Sequence, residues 1–558
     1  MPTPKFSVPR FGLNPSLATF TSTWWPDLIA GITLWGLVVP EAMAYAGLAG
    51  VPAQAGIYTV IFVVGLYALF GTSPLLVASS TSAAAATVGG IVASVGGKPE
   101  VVVGAVSICV GAIYVFAGIL RLGFVVRFIS LPIHVGFMFG LALFITISQL
   151  PKLLGLEHIS GNAIEKVWQM IAHVGDIKPL TMLIGLVALA LLFGIERFAP
   201  RIPGGLVVVG AGIAAVALFG ISTDDVATVG KIPSGLPSIS WPDLSSSNWL
   251  AIFAASFGVV LVGLSEAASV EQSLANRRGE KIDLNSDMMA FGVGNVASGF
   301  FGGLVGAGSL SATSLNERAG ARSSYSSLVA AIMALATILW FSGVLTDLPE
   351  AVLGALVIHA VANHIKVTTV WRLRRFNHIE FNVGLLTTIA VLLFDVLAGL
   401  LLAMLGSLVY YVYRTIRIEV ERDAQAATER PDNQLDLSVK GMVFYANAES
   451  LSEQIDEELA TARRDGRQID VVALRLTGQQ KLDLTATALI ERLAHDLDGH
   501  GVRLHLEEAG ETIRSELGRA PDAAPNEAPR NQPLLHPPSG AGRDRADDPT
   551  PPTTRNEG

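Results

Sequence analysis

Gly71-Thr72-Ser73-Pro74-Leu75-Leu76-Val77-Ala78-Ser79-Ser80-Thr81-Ser82 interrupts an otherwise apolar region, and Gly302-Gly303-Leu304-Val305-Gly306-Ala307-Gly308-Ser309-Leu310-Ser311-Ala312-Thr313-Ser314 interrupts another further on. Neither segment can begin as a continuous helix in lipid without leaving backbone N–H and C=O groups unpaired. The expected solution is a half-helix that starts near the bilayer midplane. Its first N–H groups are free, and its dipole is positive at that end. Two such ends facing one another make an anion site that needs no basic side chain. Ser80, Thr81, Ser311 and Thr313 stand at those ends and supply hydroxyl donors. Close packing of small residues is the competing explanation, but it does not account for the correspondence between the two breaks.

The flanking sequence supplies the membrane. The chain has 558 residues, 51% hydrophobic and 15% charged, with a mean hydropathy of +0.51. Apolar blocks such as Leu28–Ala49, Val101–Leu120, Ile133–Leu150, Leu180–Ile195 and Leu328–Leu345 are long enough to cross roughly 30 Å of hydrocarbon as helices. About fourteen such blocks are expected between Leu28 and Tyr413. The single cysteine, Cys109, excludes an internal disulfide. No cleavable signal peptide is expected, nor any cofactor, metal, nucleic acid partner or enzymatic activity, and no nucleotide-binding motif that would drive pumping is found.

Loop charge sets the expected orientation. Arg121 and Arg127, Arg197 and Arg201, Arg277, Arg278 and Lys281, Arg318 and Arg322, Arg372, Arg374 and Arg375, and Arg414 and Arg417 fall in alternate loops. By the positive-inside rule those loops and both termini are cytoplasmic, in a multi-pass protein of the cell inner membrane. Four domains are expected: a lead at 1–27, a transport body at 28–420, a soluble α/β domain at 430–518 and a disordered tail at 519–558. The α/β domain reads as two short strands in Leu437–Tyr445, a helix at Ser450–Arg464, a strand at Ile469–Leu476, a helix at Thr485–Leu497, a strand at Val502–Leu506 and a helix from Glu511.

An internal repeat relates the two breaks. Pro40-Glu41-Ala42 matches Ser265-Glu266-Ala267, and Leu131-Pro132 matches Leu348-Pro349, all in order and offset by roughly 220–230 residues. With about seven spans each, repeats at about 28–220 and 248–420 have opposite topology. Glu41 stands in the middle of an uncharged span, where an ionised carboxylate costs several kcal/mol. Glu41 and its repeat partner Glu266 are therefore candidate proton carriers. Tyr45 lies one turn beyond Glu41 on the same face and can close the site. His134, His359 and His364 lack metal-ligand spacing and are expected to be structural, and Asp395 stays unassigned.

Pro40-Glu41-Ala42-Met43-Ala44-Tyr45-Ala46, Gly56-Ile57-Tyr58-Thr59, Tyr67-Ala68-Leu69-Phe70-Gly71-Thr72-Ser73, Ser309-Leu310-Ser311 and Ala319-Gly320-Ala321-Arg322 resemble the motifs of the SulP family of sulfate-permease and prestin-like anion transporters. The segment 430–518 resembles that family's STAS domain. The resemblance implies a seven-plus-seven inverted-repeat fold like that of uracil permeases, with core and gate domains moving as an elevator, in a homodimer. This chain departs from the family's pattern in having Glu41 in place of glutamine, Ser79-Ser80 in place of Gly-Pro, and Ala312 in place of arginine in the substrate site. These departures favour proton-coupled symport of a small dicarboxylate resembling fumarate. Sulfate or bicarbonate transport and an uncoupled anion channel are the alternatives. Asp483 matches the STAS domain's characteristic aspartate, and Thr485 falls near its phosphorylation position without the surrounding serine-rich motif.

Overall fold

The computed structural model describes residues 17–507, apart from 129, 158, 160, 200–201, 224, 236–237, 240, 279–282, 363, 377, 395, 424–432 and 477–481. The tail at 519–558, the helix from Glu511, most of the lead and Asp395 lie outside the described residues. The chain divides into two compact units, Met1–Leu408 and Val409–Gly558.

The first unit is helical, and the chain is a multi-pass membrane protein. Among the described residues, seven helices are long and apolar enough to cross a bilayer: Trp24–Leu48, Pro99–Ile119, Leu131–Leu154, Pro179–Phe198, Asn248–Arg277, Tyr325–Asp347 and Glu350–Arg375. Shorter apolar helices lie at Gln54–Phe70, Ser82–Val95, Gly204–Phe219, His378–Phe394 and Leu401–Tyr413. Leu183, Leu186, Leu191 and Phe193 are exposed along one of the long helices, as lipid-facing positions must be when the surrounding solvent is hydrocarbon.

Glycine spacing brings two helices together. Helix Pro99–Ile119 carries Gly104, Gly111 and Gly118, and helix Leu284–Phe300 carries Gly292 and Gly299, all seven residues apart within each helix. The two helices pack against each other along this seam. A Cβ on Gly111 would meet Gly292 O at 2.7 Å, and one on Gly299 would meet Gly104 O at 2.6 Å. Only glycine allows backbones this close, and the approach gains dispersion contacts that apolar lipid cannot replace.

The two segments that break the helical pattern meet. Strand β1 (Ala78–Ser79) pairs antiparallel with strand β2 (Ala307–Gly308), placing Ala78 opposite Gly308 and Ser79 opposite Ala307. A two-residue ladder leaves most of the neighbouring backbone unpaired, and polar side chains from adjoining helices supply the partners. Asn295 donates from Nδ2 to Gly306 O at 2.8 Å and accepts from Gly306 N at 2.7 Å. Thr59 Oγ1 accepts from Leu304 N at 2.6 Å, Ser298 Oγ donates to Leu304 O at 2.8 Å, and Ser107 Oγ donates to Gly303 O at 2.9 Å. On the first segment, Asn316 Nδ2 donates to Leu75 O at 3.1 Å and Thr313 Oγ1 accepts from Val77 N at 3.0 Å. Asn295, Ser298, Thr59 and Ser107 are all fully buried. Non-helical backbone at this depth is tolerated only when its polar groups are satisfied by protein.

The second unit holds a four-stranded sheet in the order β3-β4-β5-β6: Glu419–Arg422, Gln434–Lys440, Val471–Arg475 and Arg503–Glu507. The first pair is antiparallel and the others are parallel. Helices Ala448–Arg464 and Leu484–Gly499 bury Leu451, Ile455, Ile490 and Leu493 in its core. Two corrections apply. Leu437–Tyr445 does not form two strands, because β4 stops at Lys440 and Gly441 turns at a φ of +117°. The extra strand is β3, which starts before residue 420 in sequence assigned to the membrane body. Its run is only four residues, too short to show alternation.

Replacing Asn295 with leucine removes both hydrogen bonds to Gly306 and leaves that backbone unpaired, a loss of about 3 kcal/mol. The expected outcome is a clearly lower thermal midpoint for the purified protein in detergent than for an Asn295→Gln control, read by scanning fluorimetry.

Candidate functional site

Helix Leu17–Leu48 carries Pro40 in its interior. Glu41 follows directly and is only 6% exposed. Helix Ser246–Arg278 carries Glu266 at the matching repeat position. Each carboxylate reaches a hydroxyl on the short helix of the opposite half. Thr81 is the N-cap of helix Ser82–Val95, and its Oγ1 accepts from Ala84 N at 3.2 Å and donates to Glu266 Oε2 at 2.6 Å. Ser311 Oγ donates to Glu41 Oε2 at 3.5 Å, a long contact.

The second short helix, Leu310–Arg318, is capped by Ser309, whose Oγ accepts from Ala312 N at 3.3 Å and lies 3.2 Å from Ser311 Oγ. Ser309 N in turn donates to Val77 O at 2.9 Å. The helix starts in the two halves are thus tied together by β1, β2 and this bond. Both helix starts are ready-made anion sites by dipole and free N–H groups.

The remaining expected residues divide. Ser80 is 2% exposed, and its Oγ has no hydrogen-bond partner. Thr313 is buried and its hydroxyl is taken by Val77 N. Ala312 is buried and contributes its backbone N–H to the Ser309 cap. Tyr45 is buried at 3% exposure.

A cavity of about 530 Å³ opens onto the site, lined by Glu41, Ser311, Arg277, Arg318, His359 and Lys366 among others. Thr81, Ser80, Tyr45, Thr313 and Glu266 are not on its wall, so the opening reaches the second helix start and stops short of the first. Arg277 pairs with Glu317 at 3.1 Å and His359 with Glu196 at 3.0 Å. His359 and His364, expected to be structural, both line this cavity. His134 Nδ1 lies 3.1 Å from Ser265 Oγ, on the helix that carries Glu266.

Two features were missed from sequence. Ser309, outside the expected donor set, caps the second helix, and the signal was present as a serine immediately before the helical run. Arg277 and Arg318 registered only as loop charges, whereas both stand in the last turns of helices Ser246–Arg278 and Leu310–Arg318 and line the cavity. In the second unit, Asp483 caps helix Leu484–Gly499 by accepting from Ala486 N at 2.8 Å and also accepts from Tyr445 N at 2.7 Å.

Residues 24–387 match the sulfate permease family and residues 425–520 match the STAS domain. A protein of Mycobacterium tuberculosis named "Probable sulfate transporter" is 30% identical over 88% of this chain and 91% of its own length. Murine Solute Carrier 26 family member A9, an anion transporter solved in the inward-facing state, superposes with a TM-score of 0.82 at 20% identity over 93% of this chain and 96% of its own. The transmembrane domain of the cyanobacterial bicarbonate transporter BicA superposes with a TM-score of 0.61 at 24% identity, over 72% of this chain and 100% of that domain. The family and the fold are those of transporters, not enzymes.

Replacing Ser311 with leucine fills the junction of cavity and helix start and removes the contact to Glu41. Initial anion uptake into proteoliposomes is expected to fall by about tenfold or more, an effect of at least ~1.4 kcal/mol, with an unchanged elution profile in detergent. Normal uptake would place the anion elsewhere.

Proposed function

The chain belongs to the sulfate permease family, and on that footing we propose that it is a secondary-active transporter of a small inorganic oxyanion of the sulfate or bicarbonate class, coupled to protons. The observation that carries this reading is the crossed pairing at the helix starts. Thr81 of the first half meets Glu266 of the second, and Ser311 of the second meets Glu41 of the first. An oxyanion held by free N–H groups and the unpartnered Ser80 hydroxyl would sit beside two carboxyl groups. Like charges repel at that range unless the carboxyls carry protons. Protonation therefore admits the anion, and release of the anion frees the protons.

Among the described residues the seven long helices, the five shorter apolar ones, Leu284–Phe300 and Leu310–Arg318 make fourteen, a number that supports a seven-plus-seven inverted repeat. In that scheme Ser82–Val95 and Leu310–Arg318 belong to a core domain that moves as an elevator past a gate, in a homodimer. Arg277 and Arg318 line the cavity, and the positive-inside rule puts them on the cytoplasmic side, along with both termini. This supports an inward-open state in the cell inner membrane. In the same scheme the domain divisions are 1–27, 28–420, 430–518 and 519–558, with the soluble domain's start drawn back to include β3.

The substitutions at positions 41, 79–80 and 312 led the sequence reading to a dicarboxylate. The relatives favour the inorganic alternative instead: one is named a sulfate transporter and another a bicarbonate transporter. A glutamate shifts how charge is balanced without specifying the anion's size.

Uptake of labelled sulfate, bicarbonate and fumarate into proteoliposomes, with and without an acid exterior, tests the proposal. Sulfate or bicarbonate accumulation driven by external acid is expected; accumulation of none of the three, or uptake indifferent to the pH gradient, defeats it. Glu41→Gln keeps a neutral side chain in place, so counterflow exchange is expected to persist while acid-driven accumulation is lost. Accumulation by that variant at the wild-type level would leave Glu266 as the sole proton carrier.

A further inference from the structure

A second pair of buried carboxyls lies apart from the cavity. Asp287, on helix Leu284–Phe300, is 0% exposed, and Glu271, on helix Ser246–Arg278, is 5% exposed. Asp287 accepts three hydrogen bonds: Oδ1 from Tyr67 Oη at 3.0 Å and from Thr72 N at 2.6 Å, and Oδ2 from Thr72 Oγ1 at 2.8 Å. That donor set belongs to an ionised carboxylate, which can only accept. Glu271 is within hydrogen-bonding reach of Asp287, yet its buried Oε1 has no hydrogen-bond partner.

No Lys, Arg or His among the described residues pairs with either carboxyl. Arg277, further along the Glu271 helix, pairs with Glu317. The other acidic neighbour is Asp283, the N-cap of the Asp287 helix, which accepts from Asn285 N and Ser286 Oγ and adds negative charge. Among the described residues, Tyr67 is a further titratable group against the pair, bonded to Asp287. Helix Pro99–Ile119, packed on both carboxyl-bearing helices, offers no cation in its buried middle. With no counter-cation among the described residues, two adjacent carboxylates resist being charged together out of water. A buried carboxyl oxygen that lacks a donor is satisfied if it carries a hydrogen of its own.

We propose that Glu271 and Asp287 form a proton-binding site distinct from the substrate cavity, in which Glu271 donates one shared proton to a charged Asp287. Neither residue lines the cavity that reaches Glu41, and the hydroxyls of Thr81 and Ser311 at the helix starts bond to Glu266 and Glu41 instead; in this proposal the proton is resident rather than travelling with the anion. Its consequence is positional. Asp287 holds Thr72 and Tyr67, and Thr72 begins the segment that runs into β1 and the Thr81 cap. The shared proton fastens that segment to two helices, and its loss would set two like charges against each other at the root of the first helix start.

The inference does not depend on proton coupling at Glu41, and its test avoids transport. In a Glu41→Gln/Glu266→Gln protein, infrared difference spectroscopy at neutral pH is expected to retain a protonated-carboxyl absorption that disappears when Glu271→Gln is added. Absence of that absorption before the third substitution, or its persistence afterwards, overturns the proposal. Glu271→Gln alone keeps an N–H donor toward Asp287 and guards against misfolding of the triple variant. The stabilisation is present while the proton is bound and is lost as pH rises. The wild-type thermal midpoint in detergent should therefore fall by several degrees between neutral and alkaline pH, while that of Glu271→Gln stays level. Parallel falls in both proteins, or none in either, also overturn it.

Discussion

Backbone hydrogen bonding at membrane depth is the constraint on which the rest of this structure depends. The segments 71–81 and 302–309 leave helical geometry where no water can satisfy their N–H and C=O groups. The ladder between β1 and β2 pairs two residues from each. Asn295, Ser298, Thr59 and Ser107 satisfy the second segment, while Asn316, Thr313 and Asp287 satisfy the first. These polar residues are not solvent-facing decoration on apolar helices. They substitute for the missing helical bonds, and without them the helix starts could not stand inside the protein.

Electrostatics follows from that arrangement. Helix starts held at depth present positive dipole ends, and the chain places carboxyl groups close to them: Glu266 at Thr81 and Glu41 at Ser311. The crossing of partners between halves makes each carboxyl report on the position of the other half's short helix. The Glu271–Asp287 pair acts on the same first segment from its other end, through Thr72. Basic residues line the cavity, where Arg277 is already paired with Glu317. The helix starts themselves present dipoles and hydroxyls.

Much of the fold was legible from local pattern. The length of the apolar blocks announced the spans, and the small, hydroxyl-rich breaks announced the short helices. In the second unit the strands at Val471–Arg475 and Arg503–Glu507 and both helices followed from periodicity. β3 did not, since four residues carry too little alternation, and neither did the turn at Gly441. The seam of Gly104, Gly111, Gly118, Gly292 and Gly299 shows a seven-residue spacing in sequence, but spacing alone does not say which helix faces which.

The sequence by itself determined the chemical inventory: a membrane chain, two helix breaks in corresponding places, and glutamates and hydroxyls within apolar segments. Those depend on composition, period and solvation cost, which are local properties. The tertiary structure alone decided the partners. Thr313 spends its hydroxyl on Val77 and Ser80 spends its own on nothing. Ser309 takes the cap, and Glu271 meets Asp287. Each of these rests on contacts between segments far apart in the chain or on the register at which a helix begins. Pairing energies of that kind are set by distance and orientation in space, and residue type carries neither.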